Sequence, residues 1–313
     1  MPDLVGFGEA MVLLQPPAGG TLETAPAFAV HVAGAELNAC AAVAALGGSA
    51  VLCTRLGDDP FGRRVSARAA GLGVGLSAET DPRRPTGLFA KDALPDGKRR
   101  VRYYRSGSAA SAMTAADAER GLALRAGAVL VSGLTIALGE GPAEMVRQVA
   151  AGAAGHGSTL VVDVNLRPAL DPHGTAIEVL SSLLPHTGIL LVGTDEAEPL
   201  FGTGDPERIV RLAKAGGVPE VVVKAGPAGC WWADEDGAVR HQPSLAGEVV
   251  DPVGAGDAFA GGYVTARLAG APRGRAAWLG SRLAAGVLAS TGDTEGLPRA
   301  RLGRRLLAEA VAG

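Results

Sequence analysis

Asp251-Pro252-Val253-Gly254-Ala255-Gly256-Asp257-Ala258-Phe259-Ala260-Gly261-Gly262 is the most specific stretch of the 313-residue chain. A Gly-Ala-Gly turn runs directly into a helical pattern, with Ala260, Val264 and Leu268 spaced for one face. Unhindered backbone N–H groups at a helix N-terminus form an anion site. Asp257 falls in the first turn, where negative charge also suits the helix dipole. A carboxylate beside an anion hole is the pairing that phosphoryl transfer uses. The amides steady charge on the transferred group, and the carboxylate accepts the attacking hydroxyl's proton. Taken alone, the same pattern also describes a glycine turn with an aspartate cap.

Upstream of that turn, short apolar runs alternate with helical patterns. Residues 4–8, 50–55, 128–132, 160–164, 189–192 and 221–224 read as strands, each rich in Val, Leu or Ile. They carry little inside/outside alternation, as strands covered on both faces should. Helical patterns occupy 140–154, 174–184, 205–214, 256–268, 274–290 and 299–310, and Asp59-Pro60 opens another with a cap and a first-turn proline. The alanine-rich run at 39–46 reads as a buried helix. This rhythm predicts an α/β fold with a mostly parallel sheet and helices on both faces.

Two segments interrupt the rhythm. Residues 11–32 and 86–112 hold short β-like pieces, with a turn signal at Pro95-Asp96-Gly97. They predict a small sheet inserted in a single domain spanning 1–313, placed to act as a lid.

Composition narrows the function classes. Net charge is −3 and aromatics are 4%, which argues against a nucleic-acid partner. No apolar run approaches the ~20 residues needed to cross a bilayer, so no membrane partner is expected. The three cysteines form no C-x-x-C, and the N-terminus lacks the pattern of a signal peptide; both fit a reducing cytoplasm. The chain has no G-x-x-x-x-G-K-[ST] loop, and no complete G-x-G-x-x-G follows the first strand. A nicotinamide dehydrogenase is therefore a distant reading. The five histidines show no ligand spacing, so no protein-held metal is expected.

Further candidates cluster at predicted strand ends. Ala33-Gly34-Ala35-Glu36-Leu37-Asn38 joins an extended stretch to a helix, and Asn38 offers a donor and an acceptor. Arg105 follows Tyr103-Tyr104, and Arg167 follows Asp163-Val164-Asn165-Leu166. In open α/β sheets the carboxyl ends of strands line the ligand crevice. Two guanidinium groups there suggest an acidic substrate, although Lys98, Arg99, Arg100 and Arg102 also let Arg105 belong to a solvated basic hairpin. Lys224-Ala225-Gly226-Pro227-Ala228-Gly229 reads either as a nucleotide-side turn or as a plain hairpin connection.

At these residues the chain resembles the PfkB, or ribokinase-like, family of carbohydrate kinases. The 251–257 segment resembles the family's C-terminal signature and Gly34–Asn38 its N-terminal one. With Tyr103-Tyr104-Arg105-Ser106-Gly107-Ser108-Ala109, these segments are most similar to 2-keto-3-deoxygluconate kinases. The resemblance implies a ribokinase-like three-layer α/β/α core, with a mostly parallel sheet of nine or so strands and a small β-sheet lid that often mediates homo-oligomers. It implies ATP-dependent phosphorylation of the terminal primary hydroxyl of 2-keto-3-deoxygluconate. Mg2+ would be held through the nucleotide phosphates, with room for a monovalent cation.

By the same resemblance Asp257 is the base, and Gly254, Ala255 and Gly256 form the anion hole. Gly34, Asn38, Phe89, Tyr103, Arg105, Arg167, Asp257 and Asp293 fall at sugar-contacting positions. Asn165, Gly193, Lys224, Gly226, Gly229, Gly254 and Gly256 fall where the family contacts nucleotide. Pro252 stands where the wider family has threonine, and Phe89 where these kinases commonly have tyrosine. The missing hydroxyl leaves the epimer 2-keto-3-deoxygalactonate open. A neutral-sugar kinase (fructose or ribose), a nucleoside kinase and a non-catalytic sugar-acid binding protein are the remaining readings.

Overall fold

The computed structural model describes residues 1–17, 20–93, 99–171 and 173–312. Among the described residues thirteen strands form two sheets. In chain order they are β1 (Leu4–Phe7), β2 (Met11–Gln15), β3 (Ala29–Ala33), β4 (Ala50–Gly57), β5 (Val74–Asp81), β6 (Leu88–Ala93) and β7 (Arg99–Tyr104). There follow β8 (Ala128–Ser132), β9 (Thr159–Asp163), β10 (Ile189–Gly193), β11 (Glu220–Lys224), β12 (Cys230–Ala233) and β13 (Val239–Gln242).

The main sheet has nine strands in the order β13-β12-β11-β10-β9-β8-β1-β4-β5. From β11 to β5 every pairing is parallel; the β11–β12 and β12–β13 pairings, at one edge, are antiparallel. Val129, Val131, Val161, Val162, Leu190, Leu191, Val222 and Val223 are buried along the central strands, as expected for a sheet covered on both faces. Each such side chain stabilises the core by about 1.5–3 kcal/mol. Because β1, β8, β9, β10 and β11 are parallel, their carboxyl ends share one edge of the sheet.

The six strand-like runs and six helical patterns all appear, with boundaries moved by a residue or two. Asp59 caps the Pro60–Gly71 helix, its carboxylate accepting from the N–H of Gly62 at 2.7 Å. β5 and the Ala115–Leu122 helix were not legible, because their polar residues blur the pattern. Leu268 is 39% exposed, so the face of the Ala255–Leu268 helix is set by Ala260 and Val264 instead.

That helix packs against the Ala35–Ala45 and Arg273–Leu288 helices. Small residues make the approach close: a Cβ on Gly261 would lie 2.4 Å from the carbonyl oxygen of Ala39. A larger side chain there would separate the two helices whose first turns carry Asn38 and Asp257.

The second sheet has the order β3-β2-β6-β7. It is built from the two segments that interrupted the βα rhythm. Residues 95–97, the expected turn, lie outside the described residues; the flanking β6 and β7 pair antiparallel. The period of two sends Phe89 and Lys91 of β6 inward, and Val101 and Tyr103 of β7 with them. Arg100, Arg102 and Tyr104 point outward.

Candidate active site

The shared edge of the main sheet and the inner face of the small sheet enclose a cavity of about 420 Å3. Chain leaving β8 places Leu134 on its wall; chain leaving β9 places Asn165 and Arg167. β10 ends at Gly193, followed by Asp195 and Glu196, and β11 ends at Lys224, followed by Gly226. The small sheet contributes Met11, Phe89, Val101 and Tyr103. The Phe89 and Tyr103 rings lie 5.8 Å apart, tilted by 31°.

The floor comes from two helix N-termini, with Gly34 and Asn38 on one side and Gly254, Gly256 and Asp257 on the other. Gly254 has φ +83°, a left-handed conformation that L side chains rarely adopt. A Cβ there would also lie 2.6 Å from the carbonyl oxygen of Asp293. This turn therefore requires glycine, and Gly254, Gly256 and Asp257 at the start of the helix line the cavity.

Asp257 accepts a hydrogen bond at Oδ2 from Nδ2 of Asn38, at 2.8 Å. The same amide lies 3.3 Å from Oδ2 of Asp293. Burial raises the Asp257 pKa to about 8; the Asn38 bond works against this, and Asp163 and Asp293 add to it. A carboxyl group poised there can take a proton near neutral pH. Oδ1 of Asn38 is buried without a partner among the described residues, and it belongs to a cavity-lining side chain. It is a free acceptor for a ligand hydroxyl.

Lys224 Nζ holds both oxygens of Asp163, at 2.7 and 2.9 Å. Burial works to lower its pKa, but Asp163 and Glu196 outweigh it and hold the ammonium form. Asn165 has φ +35°, unusual outside glycine and tolerated best by Asn and Asp.

The two arginines are not equivalent. Arg167 lines the cavity, donates to Glu196 Oε1 at 3.2 Å and keeps 46% of its side chain exposed. Arg105 is 7% exposed and lies behind Tyr103, its guanidinium carbon 5.6 Å from the ring centre. Its Nε faces Glu9 Oε2 at 2.7 Å, out of line for a good hydrogen bond, and Nη1 has no partner among the described residues. Glu9 also accepts from the Ser108 hydroxyl. Burial pushes the Glu9 pKa up against the opposing pull of Arg105 and Ser108. Arg105 is thus buried rather than part of a solvated hairpin; of the two arginines Arg167 lines the cavity, while Nη2 of Arg105 donates to the carbonyl of Leu134, a residue of its wall, at 3.5 Å.

Gly229 lines a second cavity of about 520 Å3, which shares Lys224, Gly226, Pro252 and Gly256 with the first. Val249, Phe259, Ala284 and Leu288 make much of its wall apolar. The glycine turn lies between the two spaces. Sequence reasoning missed Glu9, Lys91, Asp163, Glu196 and Asp251. Their partners are far away in the chain, so spacing could not single them out. Only the lone lysine two positions after Phe89 offered a signal, a charge on the apolar face of a strand.

The family model described as "pfkB family carbohydrate kinase" matches residues 1–300. A 2-dehydro-3-deoxygluconokinase of Thermoproteus tenax is 35% identical, over 98% of this chain and 94% of its own. A 2-dehydro-3-deoxygalactonokinase of Haloferax volcanii is 31% identical, over 86% of each chain. The crystal structure of a PfkB protein from Polaromonas sp. JS666 superposes with a TM-score of 0.83 at 31% identity, covering 96% of this chain and 99% of that one.

Proposed function

The chain belongs to the pfkB family of carbohydrate kinases, and on that premise we propose that it phosphorylates 2-keto-3-deoxygluconate on its terminal primary hydroxyl, giving the 6-phosphate. The observation that carries this reading is Asp257 beside the Gly254 turn, facing a cavity whose exposed cation is Arg167.

In this reading the sugar acid occupies the first cavity. Arg167 binds its carboxylate, Asn38 Oδ1 accepts from a hydroxyl, and Phe89 and Tyr103 cover the ring or chain. Asp257 takes the proton of the attacking hydroxyl. The amides of the 254–256 turn steady the transferred phosphoryl group. ATP supplies that group, and Mg2+ offsets its phosphate charge. The second cavity suits the adenine, the 224–229 turn the nucleotide phosphates, and Asp195 and Glu196 the water shell of the cation. Arg105 acts from behind Tyr103, adding positive field and holding Glu9.

A homo-oligomer through the small sheet belongs to the same proposal. It is supported by the outward Tyr104, 63% exposed, and by β3 and β7, which form the edges of the small sheet among the described residues. A cytoplasmic setting is supported by three free, buried cysteines. No helix among the described residues is long and apolar enough to cross a membrane.

The relative named a galactonate-epimer kinase and the unhydroxylated Phe89 favour 2-keto-3-deoxygalactonate as the second reading. ADP release measured with ketodeoxygluconate, ketodeoxygalactonate, gluconate, fructose and ribose decides among them. The expected result is the highest kcat/KM with ketodeoxygluconate. Faster turnover of fructose or ribose, or no ADP release with any sugar acid, would sink the proposal.

A further inference from the structure

Lys91 is a buried charge that the reading above leaves without a task. It lies on β6, two residues beyond Phe89, and is 2% exposed. Phe89 stops at the cavity, whereas Lys91 reaches the main domain. Its Nζ donates to Oδ2 of Asp251 at 2.8 Å and lies 3.4 Å from Oδ1 of Asp293. From there two connections lead to the chemistry. Oδ1 of Asp251 accepts from the N–H of Val253 at 3.2 Å, inside the glycine turn. Oδ2 of Asp293 accepts from Asn38, whose amide also holds Asp257.

A buried ammonium is costly unless paired, and two buried carboxylates sharing a small space repel unless a cation separates them. Each side removes the cost of the other. The small sheet buries Lys91 against these carboxylates, and Lys91 supplies a cation between them. We propose that Lys91 is a positioning residue for phosphoryl transfer: a cation carried by the small sheet that fixes Asp251 and Asp293 and thereby aims the glycine turn and Asp257. Lys91 does not line the cavity, so it acts through these groups and not on the sugar. The site is then complete only while the small sheet is docked, which couples docking to the competence of the base.

The inference rests on the kinase reading, and the test separates the two. Asp163, Asp293, Lys224 and Arg167 are the charged groups that face Asp257. Lys91→Met keeps the apolar stem and removes the charge. Its kcat should fall about 10- to 100-fold, as for a small misplacement of reacting groups, with KM for ATP nearly unchanged. The rising limb of its pH–rate profile should move to higher pH, because Asp293, which faces Asp257, then loses the Lys91 charge that offsets it. Lys91→Ala leaves space for an amine, and methylammonium should restore part of its kcat in a saturable manner while leaving the parent protein unaffected. Rescue supports the proposal even where Lys91→Met folds poorly. A parent-like kcat and pH limb in Lys91→Met, or no rescue of folded Lys91→Ala, overturns it. Amide exchange over residues 251–257, measured without substrate, should quicken in Lys91→Met. Unchanged exchange overturns the coupling, whatever sugar the parent protein prefers.

Discussion

Asn38 and Asp257 stand 219 residues apart in the chain, yet Nδ2 of one donates to Oδ2 of the other at 2.8 Å. The contact joins two helix first turns, and the small residues packed between those helices, Ala39 and Gly261 among them, permit it. It occupies Oδ2 of Asp257, and in the proposed reading Oδ1 is the oxygen that meets the substrate hydroxyl.

Asp257→Asn keeps the shape and removes the proton acceptor. We expect kcat to fall about 10²–10⁴-fold, the usual worth of a general base, with nucleotide affinity retained. The Asn variant should melt no lower than the parent at pH 8 and above. The folded-state pKa is about 8 against an ordinary value of 3.8, so ionising this buried group costs the native state stability as pH rises toward 8. Steady-state kinetics and thermal melts check both statements, and a near-normal kcat would end the assignment of Asp257 as base.

The same raised pKa predicts a pH profile. A base must be unprotonated, so kcat/KM should climb through neutral pH and level off above about 8. In Asp257→Asn the residual rate should lose that limb. A limb that persists in the variant would assign it to another group.

Arg167 and Arg105 should separate experimentally. Arg167→Ala should lower kcat/KM for the sugar acid about 10- to 100-fold, the worth of one charged hydrogen bond, and far less for a neutral sugar. Arg167→Lys should recover only part, because an ammonium lacks the planar fork. Arg105→Ala should instead act largely on stability. Breaking a buried pair costs about 3–5 kcal/mol, and the low end applies because Glu9 can protonate. Glu9→Gln combined with Arg105→Ala should recover part of that loss. Equal selectivity effects at both arginines, with no loss of stability at Arg105, would contradict this division.

Gly254→Ala forces a side chain into left-handed backbone at φ +83° and against the carbonyl of Asp293. A strain of about 1–3 kcal/mol is expected, and a fall in kcat larger than any change in sugar KM. A variant with parent-like kcat would mean that the turn does not shape the anion hole.

Hydrogen exchange tests whether the small sheet opens. Strands β2, β3, β6 and β7 should exchange faster without ligands than the central strands of the main sheet, and slow when sugar acid and nucleotide are both present. Identical protection in both states would remove the closing motion while leaving the docked geometry intact.

The architecture was legible because burial on both faces writes itself locally. Val129–Val131, Val161–Val162 and Leu190–Val192 are continuous apolar runs, and the capped helices between them allow little but a mostly parallel sheet. The Gly254–Asp257 turn was legible for a similar reason: glycine, anion hole and carboxylate are neighbours in the chain. Tertiary structure alone decided which charges meet. Arg105 turns behind Tyr103 to Glu9, Lys91 crosses from the small sheet to Asp251, and Lys224 closes on Asp163. Partners such as Lys91 and Asp251 stand 160 residues apart. A charged side chain pairs with whatever opposite charge the packed backbone brings within a few ångströms, because burial makes an unpaired charge too costly. Local sequence fixes the backbone preferences that build the layers, but not the distances between side chains on different layers.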